Sequence, residues 1–151
     1  MRTRFLLAPA LLLVTFSAHA ADPPKACTLL TQQAAAALLG SPVKPPMDAN
    51  IACIFQGANG TVNINLLAMP GAPQGTMAKA YANTLHKDYA TDTVESVPGL
   101  GEQNRVIVSS QKITVEVLYH ETILGIIVTN STNRNLKAAM IQTAKQALTK
   151  F

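Results

Sequence analysis

The chain has 151 residues, 48% of them hydrophobic and 13% charged, with no tryptophan and a formal charge of +4. That length supports one domain with its own core, and the composition is that of a folded chain rather than a solvated tail. The cations are spread thinly, form no basic run and are not interleaved with aromatics, so nucleic-acid binding has no support.

The first segment reads as an address. Arg2 and Arg4 precede an apolar run from Phe5 to Phe16, and Ser17-Ala18-His19-Ala20 supplies small residues at an A-x-A site. This is the pattern of a secretory signal peptide over residues 1–20, cleaved after Ala20. The run is short for a membrane span and holds Pro9. Losing Arg2 and Arg4 takes the charge from +4 to +2. The remainder is expected to be a soluble exported protein, periplasmic or secreted, with a mobile lead-in over 21–26 and a single domain over 27–151. No other stretch is long and apolar enough for a membrane span.

Thr31 is a suitable N-cap for a short Ala-rich helix from Gln32 to Leu39, with Leu30 as its staple and Gly40 as its stop. Ser41 to Asn50 holds Pro42, Pro45 and Pro46 and reads as a loop. Ile51 to Gln56 is a strand, Gly57-Ala58-Asn59-Gly60 a turn, and Thr61 to Met69 a returning strand. Val62, Ile64 and Leu66 share one face of it; Asn63, Asn65 and Leu67 share the other. The asparagines suit a solvent-facing side, with a binding cleft as the rival reading. Met69 to Gly75 is a Pro/Gly loop. Thr76 then caps a helix to Ala90, whose apolar stripe is Met77, Ala78, Tyr81, Ala82 and Leu85.

The stretch from Val97 to Asn130 organises the rest. It opens on Val97-Pro98-Gly99-Leu100-Gly101-Glu102 and continues as three strands: Asn104 to Ser109, Lys112 to His120 and Thr122 to Thr129. Ile113, Val115, Val117 and Tyr119 alternate with more polar neighbours, the period of a half-buried strand. Ser109-Ser110-Gln111 closes a hairpin, and Arg105 and Ile107 lie on the face opposite Val106 and Val108. The last strand is apolar on both faces, as a central strand is. Gly125 within it marks a bulge or a close backbone approach. A final helix, capped by Asn130 or Ser131, carries Leu136, Met140, Ala144, Ala147, Leu148 and Phe151 at helical spacing and covers the most aliphatic sheet face. The expected architecture is α+β: an antiparallel sheet of about five strands with helices packed on it, in the order α-β-β-α-β-β-β-α.

Cys27 and Cys53 are the only cysteines. An even count in an exported chain argues for a disulfide. A redox-active pair and a lipid anchor at Cys27 are the rivals; the first lacks a C-x-x-C context and the second lacks the residues of a lipoprotein signal before Cys27.

Several of these segments together resemble a known family. They are Cys27-Thr28-Leu29-Leu30-Thr31, the A-x-x-L-L-G ending at Gly40, Cys53-Ile54-Phe55, the Val97 to Glu102 turn and the final amphipathic helix. The frame resembles small secreted bacterial proteins, many of them actinobacterial lipoproteins, grouped as a domain of unknown function. The resemblance implies paired cysteines and a PsbP-like α/β/α sandwich around an antiparallel sheet; it implies no activity. This chain departs from the family in having Glu102 where Asp is usual, and in lacking the lipoprotein cysteine.

No catalytic constellation stands out. His86 and His120 lie outside any metal-ligand spacing, Ser109 and Ser110 lack a nucleophile-elbow context, and Glu95 and Glu102 merely flank a turn. No catalytic residue, metal site or cofactor is therefore expected. The candidate binding segments are the loop at Met69, Pro70 and Gly71 and the turn at Gly99, Leu100, Gly101 and Glu102. Backbone amides of that turn could hold an anion, although a structural role with Leu100 plugging the core is the stronger reading. The sequence thus points to a monomeric, non-enzymatic binding protein of the cell envelope that meets an envelope protein. One alternative is a carrier for a small apolar ligand or lipid, with its cavity between the sheet and the helix from Met77 and the Met69 to Gly75 loop as its gate. The other is a hydrolase with a dispersed site.

Overall fold

The computed structural model describes residues 24–85 and 92–151; residues 1–23 and 86–91, and the side chain of Leu85, stand outside that description. The signal peptide over 1–20, the cleavage after Ala20, the helix end over 86–90 and His86 therefore lie outside the described residues.

The order of elements is α1 (Ala26–Leu29), α2 (Gln32–Leu39), β1 (Met47–Asp48), β2 (Ala52–Gln56), β3 (Thr61–Ala68), α3 (Thr76–Leu85), β4 (Thr93–Glu95), β5 (Gln103–Val108), β6 (Lys112–Tyr119), β7 (Thr122–Thr129) and α4 (Leu136–Leu148). The strands form one antiparallel sheet in the order β1-β2-β3-β7-β6-β5-β4. The chain is α+β, as expected, but the described sheet has seven strands rather than about five. The two additional ones are edge strands of two and three residues, too short to show alternation in sequence. β1 comes from the Pro-rich segment read as pure loop. Four helices are described rather than three, because Cys27 lies in α1, a single turn ahead of Thr31. Ala26, assigned to the lead-in, begins that turn and is fully buried.

Local chemistry explains the element ends. The Thr31 hydroxyl accepts from the Ala34 amide, and Gly40 closes α2 in the left-handed conformation with its amide on the Ala36 carbonyl. The β6–β7 turn is made by His120 and Glu121, both at positive φ, which matches the twist of a two-residue hairpin. α4 begins later than expected, at Leu136, and neither Asn130 nor Ser131 caps it. Asn130 ends β7 at positive φ, and the Ser131 hydroxyl donates to the Leu38 carbonyl. This stitches α2 to the turn ahead of α4. Gly125 marks no bulge: β3, β7 and β6 pair without interruption through Asn65, Gly125 and Glu116.

The core lies on the sheet face covered by α1, α2 and α4. It is built from Cys53 and Phe55, from Val62, Ile64 and Leu66, from Leu124, Ile126 and Val128, and from Val115, Val117 and Val106, all buried. Leu38, Leu39, Met140, Ala144 and Ala147 close it from the helices. Burial of this many aliphatic side chains, each contributing about 1.5–3 kcal/mol, is the main source of stability. The Cys27–Cys53 disulfide ties α1 to β2 at a Cα–Cα distance of 4.9 Å. It joins α1, rather than α2, to the sheet. Among the described residues no helix is long and apolar enough to cross a membrane.

Candidate functional site

The second face of the sheet has a different character. Cross-strand partners share a face. One row therefore takes a residue from every strand: Met47, Ile54, Asn63, Ile127, Thr114, Ile107 and Val94. The next row runs Ala52, Asn65, Gly125, Glu116 and Arg105, and a third runs Leu67, Ile123, Leu118 and Gln103. This face is apolar with a polar band across it.

α3 lies over β6 and β7 on this side. Met77 and Tyr81 are buried against Leu118, with Ala78 and Ile123 beside them. Three polar ties hold the helix down. Glu121 accepts from the Gly75 amide at 2.9 Å and from the Met77 amide at 3.0 Å, so a carboxylate from the β6–β7 turn caps the helix start. The Thr76 hydroxyl, the cap expected from sequence, donates instead to the Pro73 carbonyl. At the last described turn, Arg105 Nη1 donates to the Thr84 carbonyl at 2.6 Å, while its Nε meets Glu116 Oε2 at 2.6 Å. The Tyr81 ring lies 5.7 Å from the guanidinium carbon, and its hydroxyl donates to the Glu116 carbonyl. Arg105 is 6% exposed, so its charge is satisfied inside the protein.

The half of this face over β1, β2 and β3 is open. Met47 and Leu67 are 56% and 52% exposed there, and Ile54, Asn63 and Asn65 are half-buried; Met69, in the loop that follows β3, is 48% exposed. The Asn63 amide oxygen is buried and has no hydrogen-bond partner among the described residues. Neither sheet edge offers a long template for strand addition. β1 follows Pro45-Pro46 and spans two residues; β4 spans three, and its Glu95 is paired with Lys137 at 2.6 Å.

The turn at Gly99 to Glu102 is wired into the fold. Leu100 is fully buried in the main core. Asn104 braces the turn, accepting from the Val97 amide and donating to the carbonyls of Val97 and Leu100. Gly101 sits at φ 65°, where a Cβ would strike Val117 and the Leu118 carbonyl; Gly99, at φ 73°, faces open space. Glu102 accepts from the His120 amide at 3.0 Å. Met69, Pro70 and Gly71 are exposed, at the far end of the loop that Glu121 pins at Gly75. The structure does not bring the loop and the turn together through any hydrogen bond between described residues. His120 packs its ring against Tyr119, with centroids 4.1 Å apart. Glu95 and Glu102 go to different partners, Lys137 and the His120 amide.

Four surface depressions of about 310 to 420 Å3 are bordered by described residues, and none of these four is lined by α3. The space that a carrier would need under α3 holds Met77 and Tyr81 where it is described. Among the described residues no group of three or more His, Cys, Asp or Glu could hold a metal ion.

Sequence reasoning missed the Arg105–Glu116 pair, the Glu121 cap and the Asn104 brace. The first was within reach. A two-residue Ser110-Gln111 loop fixes the β5–β6 register, and that register sets Arg105 opposite Glu116. The other two depend on how α3 and the turn pack in space. No family model, curated protein or solved structure matches this chain.

Proposed function

We propose that this is an exported, non-enzymatic binding protein of the cell envelope, and that it meets a protein partner through the open β1–β3 half of the second sheet face. The observation that carries this reading is the exposure of Met47 and Leu67 on the face that also holds Ile54, Asn63 and Asn65. Apolar side chains grouped on one face, with amides set among them, are what a protein partner covers. The shape favours a protein over a small apolar ligand. These side chains stand on an open sheet, whereas a small-ligand site encloses most of its occupant. Export rests on the residue 1–20 pattern, and the Cys27–Cys53 disulfide fits an oxidising compartment.

Leu67→Asp is the direct test. It places a charge in the open face without touching the core, because Leu67 is 52% exposed. Affinity for the partner trapped at this face should fall at least about tenfold, near 1.4 kcal/mol, while the melting temperature stays within a few degrees. Unchanged affinity for that partner would remove the face from the interaction.

A further inference from the structure

A recess of about 310 Å3 lies between the β5–β6 turn and the start of α4. Its lining includes Lys112, Arg134 and Lys137, with Ser110, Gln111 and Asn130 among the rest, and no aspartate or glutamate. Lys137 is neutralised by Glu95, Nζ to Oε1 at 2.6 Å. Lys112 and Arg134 are exposed and have no carboxylate partner among the described residues. The side chains of Ser110, Gln111 and Asn130 likewise make no hydrogen bond among the described residues. Other lining residues do the building: Ser131 donates to the Leu38 carbonyl and Asn133 to the Ala37 carbonyl. No Asp or Glu occurs from Thr122 to Phe151, and Glu95, the carboxylate beside the recess among the described residues, is held by Lys137.

Two uncompensated cations in one concave site repel each other, and an oxyanion between them relieves that repulsion. A guanidinium offers paired N–H donors to two oxygens, a lysine adds a point charge, and hydroxyl and amide N–H groups serve the remaining oxygens. A charge of +2 matches a phosphate monoester, which carries about −1.5 to −2 near neutral pH, better than a single carboxylate. We propose that this recess binds a phosphate-bearing group through Lys112 and Arg134. The group is either a free phosphate compound or the headgroup of an anionic lipid. The site shares no residue with the open β1–β3 face, so either assignment stands or falls without the other.

The test is an amide NMR titration of the purified protein with inorganic phosphate at constant ionic strength. Saturable shifts at Ser110, Gln111 and Asn130 are expected. Affinity should fall at least about tenfold in the Lys112→Gln/Arg134→Gln variant and stay the same in Lys145→Gln, which changes a cation outside the recess. Both altered side chains are exposed and make no ion pair among the described residues, so the variant keeps its fold, which its spectrum verifies. Non-saturating shifts, or equal affinity in the double variant, overturn the site. Vesicles then separate the two sources. Sedimentation with vesicles containing phosphatidic acid, whose headgroup is a phosphate monoester, but not with phosphatidylcholine vesicles, lost in the double variant, assigns a lipid headgroup. Phosphate binding without vesicle binding assigns a free phosphate group.

Discussion

Arg105 and Glu116 face each other across the β5–β6 ladder and join at 2.6 Å beneath α3. The arginine is the more buried partner, with 7% of its side chain exposed against 24% for the glutamate. Taking charge from one partner therefore has unequal consequences. Glu116→Gln removes the carboxylate charge that sits 2.6 Å from a buried guanidinium and should cost about 3 kcal/mol. Replacing both by Met should restore much of that loss, since apolar side chains can fill a buried ion-pair site. Urea denaturation of Arg105→Met, Glu116→Met and the double Met variant measures the coupling. Additive losses would show that the pair does not act as a unit.

Glu121 caps α3 from outside the helix. Glu121→Ala should lower global stability by about 1 kcal/mol, the usual cost of a lost cap. It should raise amide exchange most in the first turn of α3, at Met77 and its neighbours. Exchange that rises equally in α4 would mean that the carboxylate supports the whole fold rather than this helix.

Gly99 and Gly101 both adopt positive φ, yet only Gly101 is enclosed. Gly99→Ala should cost about 1 kcal/mol, from backbone strain alone. Gly101→Ala adds contact with Val117 and the Leu118 carbonyl and should cost roughly 3 kcal/mol. Equal losses in thermal denaturation would contradict the packing at this turn.

The disulfide between Cys27 and Cys53 closes a loop with a sequence separation of 26. On the chain-entropy account, Cys27→Ser/Cys53→Ser should lose about 3 kcal/mol, lowering the melting temperature by roughly 10 °C. Thiol titration of the unfolded, unreduced protein should find no free thiol. Two free thiols would remove the cross-link from the account.

Much of the fold was legible because it depends on local chemistry. Thr31 and Gly40 bound a helix by hydrogen bonds within a few residues. Alternation along Lys112 to Tyr119 and Thr61 to Ala68 assigned faces correctly, including Asn63, Asn65 and Leu67 opposite the core. The edge strands were illegible because two or three residues carry no period. The start of α4 was misplaced because Asn130 and Ser131 have good capping chemistry but spend it elsewhere, one on a left-handed strand end and the other on Leu38. The open face required tertiary knowledge. Sequence alternation identifies a second face, but only the placement of α3 over β6 and β7 separates its covered half from its exposed one.

Photo-crosslinking in the intact envelope tests the central claim most directly. A photoreactive residue is placed in turn at Met47, Ile54 and Leu67 on the open face, and at Ala36 and Lys145 on the helical side. The account predicts one discrete protein adduct from the first three positions and none from the last two. An adduct formed only from Ala36 or Lys145, or no protein adduct from any open-face position, would contradict it.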